Sequence, residues 1–191
     1  DIMHILDELQ QHGTTIILVT HHRDEFVNAD RIIRLDNGRI VQSARGNTAS
    51  IPEMDESGTA QEDNPIAKSN IANGASKPTS AVPIIEIHNL IYQYPNSSKP
   101  VLDKLSITIN EGETVAITGH NGAGKTTLAR LLCALEQPQS GSITVNTIPV
   151  ARQRANGNMQ SLKRADREKL RATIGYVMQH PERQLFAETV A

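Results

Sequence analysis

The residues best equipped for chemistry form the stretch Gly119–Thr127, G-H-N-G-A-G-K-T-T, which fits G-x-x-x-x-G-K-[ST] at every fixed position. Glycines let a backbone wrap closely around a phosphate with several N–H groups pointing inward. Lys125 opens a helix, so its charge and the helix dipole both favour an anion, and the Thr126 hydroxyl is the expected Mg²⁺ ligand. The stretch predicts a phosphate-binding loop (P-loop) with the nucleotide contacts Gly119, His120, Asn121, Gly122, Ala123, Gly124, Lys125, Thr126 and Thr127.

A P-loop needs a strand before it and a helix after it, and the sequence predicts both. Thr114–Thr118 is an apolar run of strand type, and the leucines from Leu128 to Leu135 recur at helical spacing until Pro138 and Gly141. The alternative, a Gly-rich turn that merely caps a helix, is disfavoured by this context. Further strands are predicted at Ile84–Ile87, Ile91–Tyr94, Leu105–Ile109, Ser142–Val145 and Ile174–Gln179, and Ala151–Arg171 is predicted to be a solvated surface insertion.

The first 42 residues show a separate helix, strand and hairpin. Apolar residues between Ile2 and Leu9 recur at helical spacing, and Gly13 ends that helix. The β-branched run Thr15–Thr20 then predicts a buried parallel strand, with His21 directly at its carboxyl end, where open α/β sheets place ligands. The Asn-Gly pair that follows at 37–38 predicts a hairpin between Arg31–Leu35 and Arg39–Val41.

Composition narrows the class of protein. The 191 residues carry a net charge of −2, so no nucleic-acid partner is expected. The single Cys133 excludes an internal disulfide and fits a reducing compartment. No apolar run approaches the about 20 residues of a membrane span, so we expect a soluble chain that could dock onto a membrane partner. Residues 43–83 are rich in Ser, Asn, Gly, Pro and acidic residues, which predicts a flexible linker.

Several motifs together resemble the ATP-binding cassette (ABC) ATPases. The segment T-T-I-I-L-V-T-H-H-R-D-E-F-V-N-A-D-R-I-I-R-L-D-N-G-R-I-V at 14–41 is similar to the end of such a domain, and residues from Ile84 onward are similar to the start of one. In this family the matching residues are a γ-phosphate-sensing His (His21), an adenine-stacking aromatic (Tyr94) and a Gln that reaches Mg²⁺ and the attacking water (Gln179). For Tyr94, core packing is the alternative.

The resemblance implies a fold and a set of partners. The fold is α/β, a P-loop NTPase of ABC type with a small antiparallel β-subdomain, and the cofactors are ATP and Mg²⁺. The pattern of Pro181, Gln184, Leu185 and Phe186 is similar to cobalt-type and energy-coupling-factor ATPases of vitamin and metal importers. It implies transmembrane transporter subunits, a facing ABC domain and a place at the cytoplasmic face of the membrane.

Two family motifs do not occur in this sequence. There is no apolar strand ending in Asp-Glu and no Leu-Ser-Gly-Gly-Gln signature, so no catalytic base can be named. Together with the reversed motif order, this predicts an internal fragment of a tandem protein. Residues 1–42 would end a first ABC domain, 43–83 would link, and 84–191 would begin a second. His21 and Lys125 would then serve different ATP sites. Within this chain, Thr15–Val19 is predicted to lie beside Val115–Thr118 and to bring His21 near Lys125.

Other function classes explain less of the sequence. A soluble tandem ABC protein acting on ribosomes or DNA usually carries a long, charged, helical linker, unlike the Pro/Gly/Ser-rich one here. A P-loop kinase or GTPase leaves His21, Tyr94 and Gln179 unexplained. A fourth class is a module that only binds nucleotide, and this chain by itself is expected to behave in that way.

Overall fold

The computed structural model of the chain describes residues 2–20, 28–45, 82–154, 156–160 and 162–177. Their helices and strands follow one another in the order α1 (Ile2–Gln11), β1 (Ile16–Val19), β2 (Arg31–Asp36), β3 (Arg39–Arg45), β4 (Pro83–Tyr92), β5 (Leu102–Asn110), β6 (Thr114–Thr118), α2 (Lys125–Leu132), β7 (Ser140–Val145), β8 (Ile148–Gln153), β9 (Met159–Gln160) and α3 (Arg164–Thr173). The longest of these helices have ten residues, about half of what a bilayer span requires.

One compact unit comprises the described residues of 1–83 and 109–125 and is built on a four-stranded sheet in the order β1-β6-β2-β3. β6 lies in the middle and pairs in parallel with both neighbours, while β2 and β3 form an antiparallel hairpin. Ile16 to Val19 pair in register with Thr114 to Ile117. The prediction that the first strand lies beside the P-loop strand is therefore confirmed.

The core of this unit follows from strand composition. Val115, Ala116 and Ile117 are buried because a central parallel strand is covered on both faces. Ile32 and Ala29 pack with Ala116, and the half-buried Leu18 extends the cluster. The sheet thus holds the strand that leads into the P-loop from both sides.

Helix α1 is attached to this sheet through one carboxylate. Asp30 Oδ2 accepts hydrogen bonds from Gln10 Nε2 at 2.7 Å and from the Thr114 backbone N–H at 2.8 Å. Gln10 Nε2 also donates to the Gly112 carbonyl at 3.3 Å. The same side chain therefore fixes the start of β6 and the end of α1.

The second compact unit comprises the described residues of 84–108 and 126–191 and contains an antiparallel sheet in the order β5-β4-β7-β8-β9. The two strands predicted within 84–94 are one strand, β4, because the register shifts between His88 and Ile91 without ending it. Asn89 takes a left-handed conformation at this irregularity, with φ 46°. Tyr94 lies beyond the end of β4.

Sequence predictions in this unit differ from the structure in three places. Residues 151–171, predicted to be a solvated surface insertion, are mostly exposed where the structure describes them, but they contain the end of β8, all of β9 and most of α3, whose Leu170 is buried. Helix α2 ends at Leu132 rather than continuing to Pro138, because Ala134 turns left-handed (φ 54°) and Leu135 N–H donates to Arg130 O at 2.9 Å, closing the helix. Residues 174–177 form no strand, and 178–179 lie outside the described residues.

Candidate functional site

The P-loop leaves the carboxyl end of the central strand β6. β1 and β2 run parallel to β6, so all three strands end at the same edge of the sheet. Ala123, in the middle of the loop, is fully buried, while Asn121 and Gly122 are exposed. The loop therefore presents its tip at the sheet edge where α/β proteins bind ligands.

Three glycines of the loop have positive φ angles: Gly119 (145°), Gly122 (87°) and Gly124 (100°). At Gly119 a side chain is also excluded by space, since a Cβ atom there would lie under 3.0 Å from the Leu35 carbonyl oxygen. The fixed glycines of the motif thus correspond to backbone conformations and a close approach that other residues do not tolerate.

Lys125 is curled over the loop that precedes it. Its Nζ donates to the carbonyl oxygens of Gly119 at 2.7 Å and His120 at 3.0 Å. Burial lowers the pKa of Lys125 from its usual value, because desolvation penalises the ammonium. Two neutral carbonyls only partly compensate that charge, so the ammonium favours an anion at the loop.

The β2–β3 hairpin contacts the loop from the same unit. His120 Nε2 lies 2.8 Å from Asp36 Oδ1, and His120 Nδ1 lies 2.6 Å from the Asn121 carbonyl oxygen. Gly38 N–H donates to the Ala123 carbonyl at 3.3 Å. These contacts fix the outer part of the loop, and sequence reasoning missed them because residues 36 and 120 are far apart in the chain.

In the second unit, the first turn of α2 carries the two threonines of the motif. Thr126 is exposed, whereas Thr127 is buried. The Tyr94 hydroxyl lies 3.1 Å from Thr127 Oγ1, with either group able to donate. Tyr94 is 37% exposed, so part of its ring faces solvent. This exposure fits an aromatic platform better than a core-packing residue.

A polar network of the buried Tyr92 and the partly exposed Glu136 and Arg130 lies next to Tyr94. The Tyr92 hydroxyl donates to Glu136 Oε2 at 2.9 Å, and Arg130 Nη2 donates to Glu136 Oε1 at 2.8 Å. The rings of Tyr92 and Tyr94 form a T-shaped pair with centroids 5.0 Å apart. The sequence gives no local signal for this network, since Glu136 is 44 residues from Tyr92.

The pKa values of all three residues are shifted, and each shift favours the protonation state that the hydrogen bonds require. Burial, and secondly the hydrogen bond to Glu136, raise the pKa of Tyr92 to about 12. The hydrogen bonds from Tyr92 and then from Arg130 lower the pKa of Glu136. The hydrogen bond to Glu136 likewise raises the pKa of Arg130. A neutral phenol, a carboxylate and a guanidinium are therefore the stable forms at neutral pH.

The two predicted catalytic residues, His21 and Gln179, lie outside the described residues. Thr20, directly before His21, is buried, and its N–H donates to the Ile117 carbonyl of β6 at 3.3 Å. The proximity of His21 to Lys125 therefore remains a prediction.

The P-loop residues fit a nucleoside triphosphate with a divalent cation. The loop glycines provide the backbone conformation for phosphate contacts, Lys125 supplies a partly desolvated charge, and Thr126 offers an exposed hydroxyl. With such a ligand bound, Lys125 would exchange its carbonyl partners for phosphate oxygens and Thr126 would hold the cation.

The ABC transporter family model matches residues 102–191 of this chain. The match covers 90 of the 191 residues. The predicted fold class, an α/β P-loop fold of ABC ATPase type with an antiparallel sheet, is confirmed. A domain of this family implies nucleotide binding.

Individual relatives with ABC-type descriptions are similar to all or part of this chain. A putative ABC transporter ATP-binding protein of Bifidobacterium longum, BL0043, is 42% identical over 217 residues, covering 100% of this chain and 28% of that protein. The energy-coupling factor transporter ATP-binding protein EcfA1 of Latilactobacillus sakei is 40% identical over 107 residues, covering 56% of this chain and 34% of that protein. The solved structure of CbiO1 from Clostridium perfringens is 32% identical with a TM-score of 0.46, covering 55% of this chain and 38% of that one. The chain thus spans about a third of the length of these relatives.

Proposed function

We propose that this chain is part of the ATP-binding protein of a membrane transporter, in which ATP binding and hydrolysis drive the import of a vitamin or a metal ion. The observation that carries the proposal is the P-loop with its partly desolvated Lys125, within a segment that matches the ABC transporter family model. The similarity of 107 residues to an energy-coupling factor ATPase supports the importer subgroup. Its partners would be transmembrane subunits, at the cytoplasmic face of the membrane.

The proposed roles of individual residues follow from the family resemblance and the site geometry. The P-loop binds the phosphates, and Tyr94 contacts the adenine through its exposed ring. Thr126 and Gln179 hold Mg²⁺, and Gln179 orients the attacking water beside the γ-phosphate. His21 has the corresponding role at the γ-phosphate of the other ATP site. Preorganised donors around that phosphate supply most of the catalysis in phosphoryl transfer.

We further propose a tandem organisation of the whole protein. Residues 1–42 would end one ABC domain, 43–83 would link, and 84–191 would begin the next. Two comparisons support this arrangement. The whole of this chain matches 28% of a longer ABC transporter ATP-binding protein. The ABC transporter family model matches residues 102–191. The sequence has neither a signature motif nor a strand ending in Asp-Glu, so this chain by itself would bind ATP and hydrolyse it poorly.

Calorimetry with ATP and Mg²⁺ tests binding, and phosphate release measured in parallel tests turnover. We expect binding by the unaltered chain and a loss of binding in Lys125→Ala, with little phosphate release in either. Arg164→Ala, at an exposed pair on α3, is the control and should bind ATP normally. Robust turnover by this chain would contradict the proposal. Co-purification of the intact protein with ribosomes rather than with membrane subunits would favour the soluble tandem class.

A further inference from the structure

The partly exposed Tyr94 side chain makes two contacts near helix α2. The Tyr94 hydroxyl lies 3.1 Å from Thr127 Oγ1 on α2, and its ring pairs with Tyr92 at an interplanar angle of 87°. In a T-shaped pair one ring presents its edge to a face of the other, so Tyr92 covers at most one face of Tyr94. At least one face of the Tyr94 ring is therefore left uncovered by its partner.

Tyr92 is itself fixed far more firmly than Tyr94. It is 3% exposed, against 37% for Tyr94, and its hydroxyl is bonded to Glu136. A buried hydroxyl bonded to a carboxylate costs free energy to move, because the carboxylate would lose a charge-assisted hydrogen bond. The Tyr92 ring is thus a rigid support for its more exposed neighbour.

The Glu136 carboxylate is held in turn by a residue of helix α2, which follows the P-loop. Each oxygen of Glu136 has its own partner, Tyr92 on one side and Arg130 on the other. Arg130 lies on α2 one turn after Thr126 and three residues after Thr127. The chain of contacts Arg130–Glu136–Tyr92–Tyr94–Thr127 therefore begins and ends on the same helix.

We propose that Tyr92, Glu136 and Arg130 are positioning residues that orient the Tyr94 ring toward the base of a bound purine nucleotide. The inference rests on the proposed function, in which Tyr94 contacts the adenine of ATP. None of the three residues contacts the nucleotide. They limit the orientations of Tyr94, so that less rotamer entropy is lost when a base stacks on it.

The role is tested by comparing ATP with inorganic tripolyphosphate, which has the phosphates but no base. In the full chain, Tyr92→Phe keeps the ring pair and removes the anchor, and Glu136→Gln weakens the carboxylate contacts to both neighbours. We expect each variant to weaken ATP binding by roughly two- to tenfold, the range of an oriented aromatic contact. Tripolyphosphate affinity should not change.

Two further variants make the test specific. Glu168→Gln breaks the exposed ion pair with Arg164 on α3 and is the matched control, so its affinities for both ligands should stay at the unaltered values. The double variant Tyr92→Phe/Glu136→Gln should weaken ATP binding little more than either single change, since residues of one network are not additive.

The outcomes separate this inference from the function on which it rests. If Tyr94→Leu leaves the ratio of ATP to tripolyphosphate affinity unchanged, the assignment of Tyr94 to the base is wrong. If Tyr94→Leu lowers the ratio but folded Tyr92→Phe and Glu136→Gln do not, the positioning role alone is overturned. Thermal unfolding identifies folded variants, and Glu136→Gln decides the matter if Tyr92→Phe does not fold. Equal weakening of both ligands indicates a purely structural role and also overturns the inference.

Discussion

Arg31 and Glu113 form a two-point ion pair between the first residue of β2 and the residue before β6. Arg31 Nε lies 2.8 Å from Glu113 Oε1, and Arg31 Nη2 donates to Glu113 Oε2 at 3.1 Å. Glu113 is 3% exposed and also accepts from the Asn110 N–H at 2.9 Å. The pair joins the N-terminal segment of the chain to the strand that leads into the P-loop.

Breaking this pair on one side should destabilise the first unit strongly. Arg31→Met leaves the Glu113 carboxylate buried without its cation, which typically costs about 3–5 kcal/mol of unfolding free energy. The double variant Arg31→Met/Glu113→Gln removes the charge as well and should recover part of that loss. Urea unfolding of the two variants measures the difference. Equal unfolding free energies for both would contradict the importance of the buried charge.

Gly119 should not tolerate alanine. The added Cβ would meet the Leu35 carbonyl oxygen, and the backbone has a φ of 145°. Gly112→Ala is the control, because its φ is 72° and a Cβ there meets nothing within 4 Å. We expect Gly112→Ala to lower the unfolding free energy by about 1 kcal/mol with ATP binding intact. Gly119→Ala should lower it more and abolish ATP binding; near-normal binding would contradict the close approach.

The Tyr92–Glu136 contact should produce a stability change at high pH. The pKa of Tyr92 is raised to about 12 from an ordinary value of 10.0, so the folded state holds this proton more tightly than the unfolded state. The contribution is complete below pH 10 and is lost as the pH rises through about 12. Tyrosinate absorbance should show one late-titrating tyrosine, which Glu136→Gln shifts to lower pH, while Glu168→Gln has no effect.

The same network should respond at acid pH with the opposite sign. The pKa of Glu136 is held below its ordinary value, chiefly by the hydrogen bond from Tyr92. Its contribution is therefore present above the unfolded pKa and is lost as the pH falls through the lower folded value. Unfolding free energies of the unaltered chain and Glu136→Gln should converge on acidification. A constant difference between them at all pH values would contradict this coupling.

The sheet pairing predicts that the N-terminal segment stays attached without the covalent link. A specific protease site inserted between residues 45 and 82 allows the chain to be cut after folding. Because β6 lies between β1 and β2, both fragments should co-elute in native buffer and separate in denaturant. Ile16→Pro removes the Ile16 N–H bond to the Glu113 carbonyl and should weaken the association. Separation of the cut fragments in native buffer would contradict the pairing.

The tandem proposal predicts that His21→Ala and Lys125→Ala damage different ATP sites in the intact protein. The family's switch histidine serves the P-loop of its own domain, and the proposal places these two residues in successive domains. Site-resolved nucleotide trapping should show one site impaired by each change. Loss of the same site in both variants would refute the assignment.

The P-loop, the strand before it and the hairpin around Asn37-Gly38 can be predicted from the amino-acid sequence. Each depends on φ preferences and side-chain periodicity over a few neighbouring residues, and these are properties of the local sequence. Gly119, Gly122 and Gly124 have the positive φ angles that the motif requires. The pairing of β1 with β6 was predicted only through family resemblance, since no local pattern identifies a partner strand.

The contacts between distant residues are visible in the tertiary structure and have no signal in the sequence. Arg31 and Glu113 are 82 residues apart, and Tyr92 and Glu136 are 44 apart, so their spacing in the sequence has no period to detect. Helix α3 and the end of β8 were missed because the described residues from Arg152 to Thr173 are mostly polar and exposed, with Leu170 as the buried residue of α3. Polar and charged groups that are removed from water need hydrogen-bonding or ionic partners. Which groups are removed from water depends on how the strands assemble.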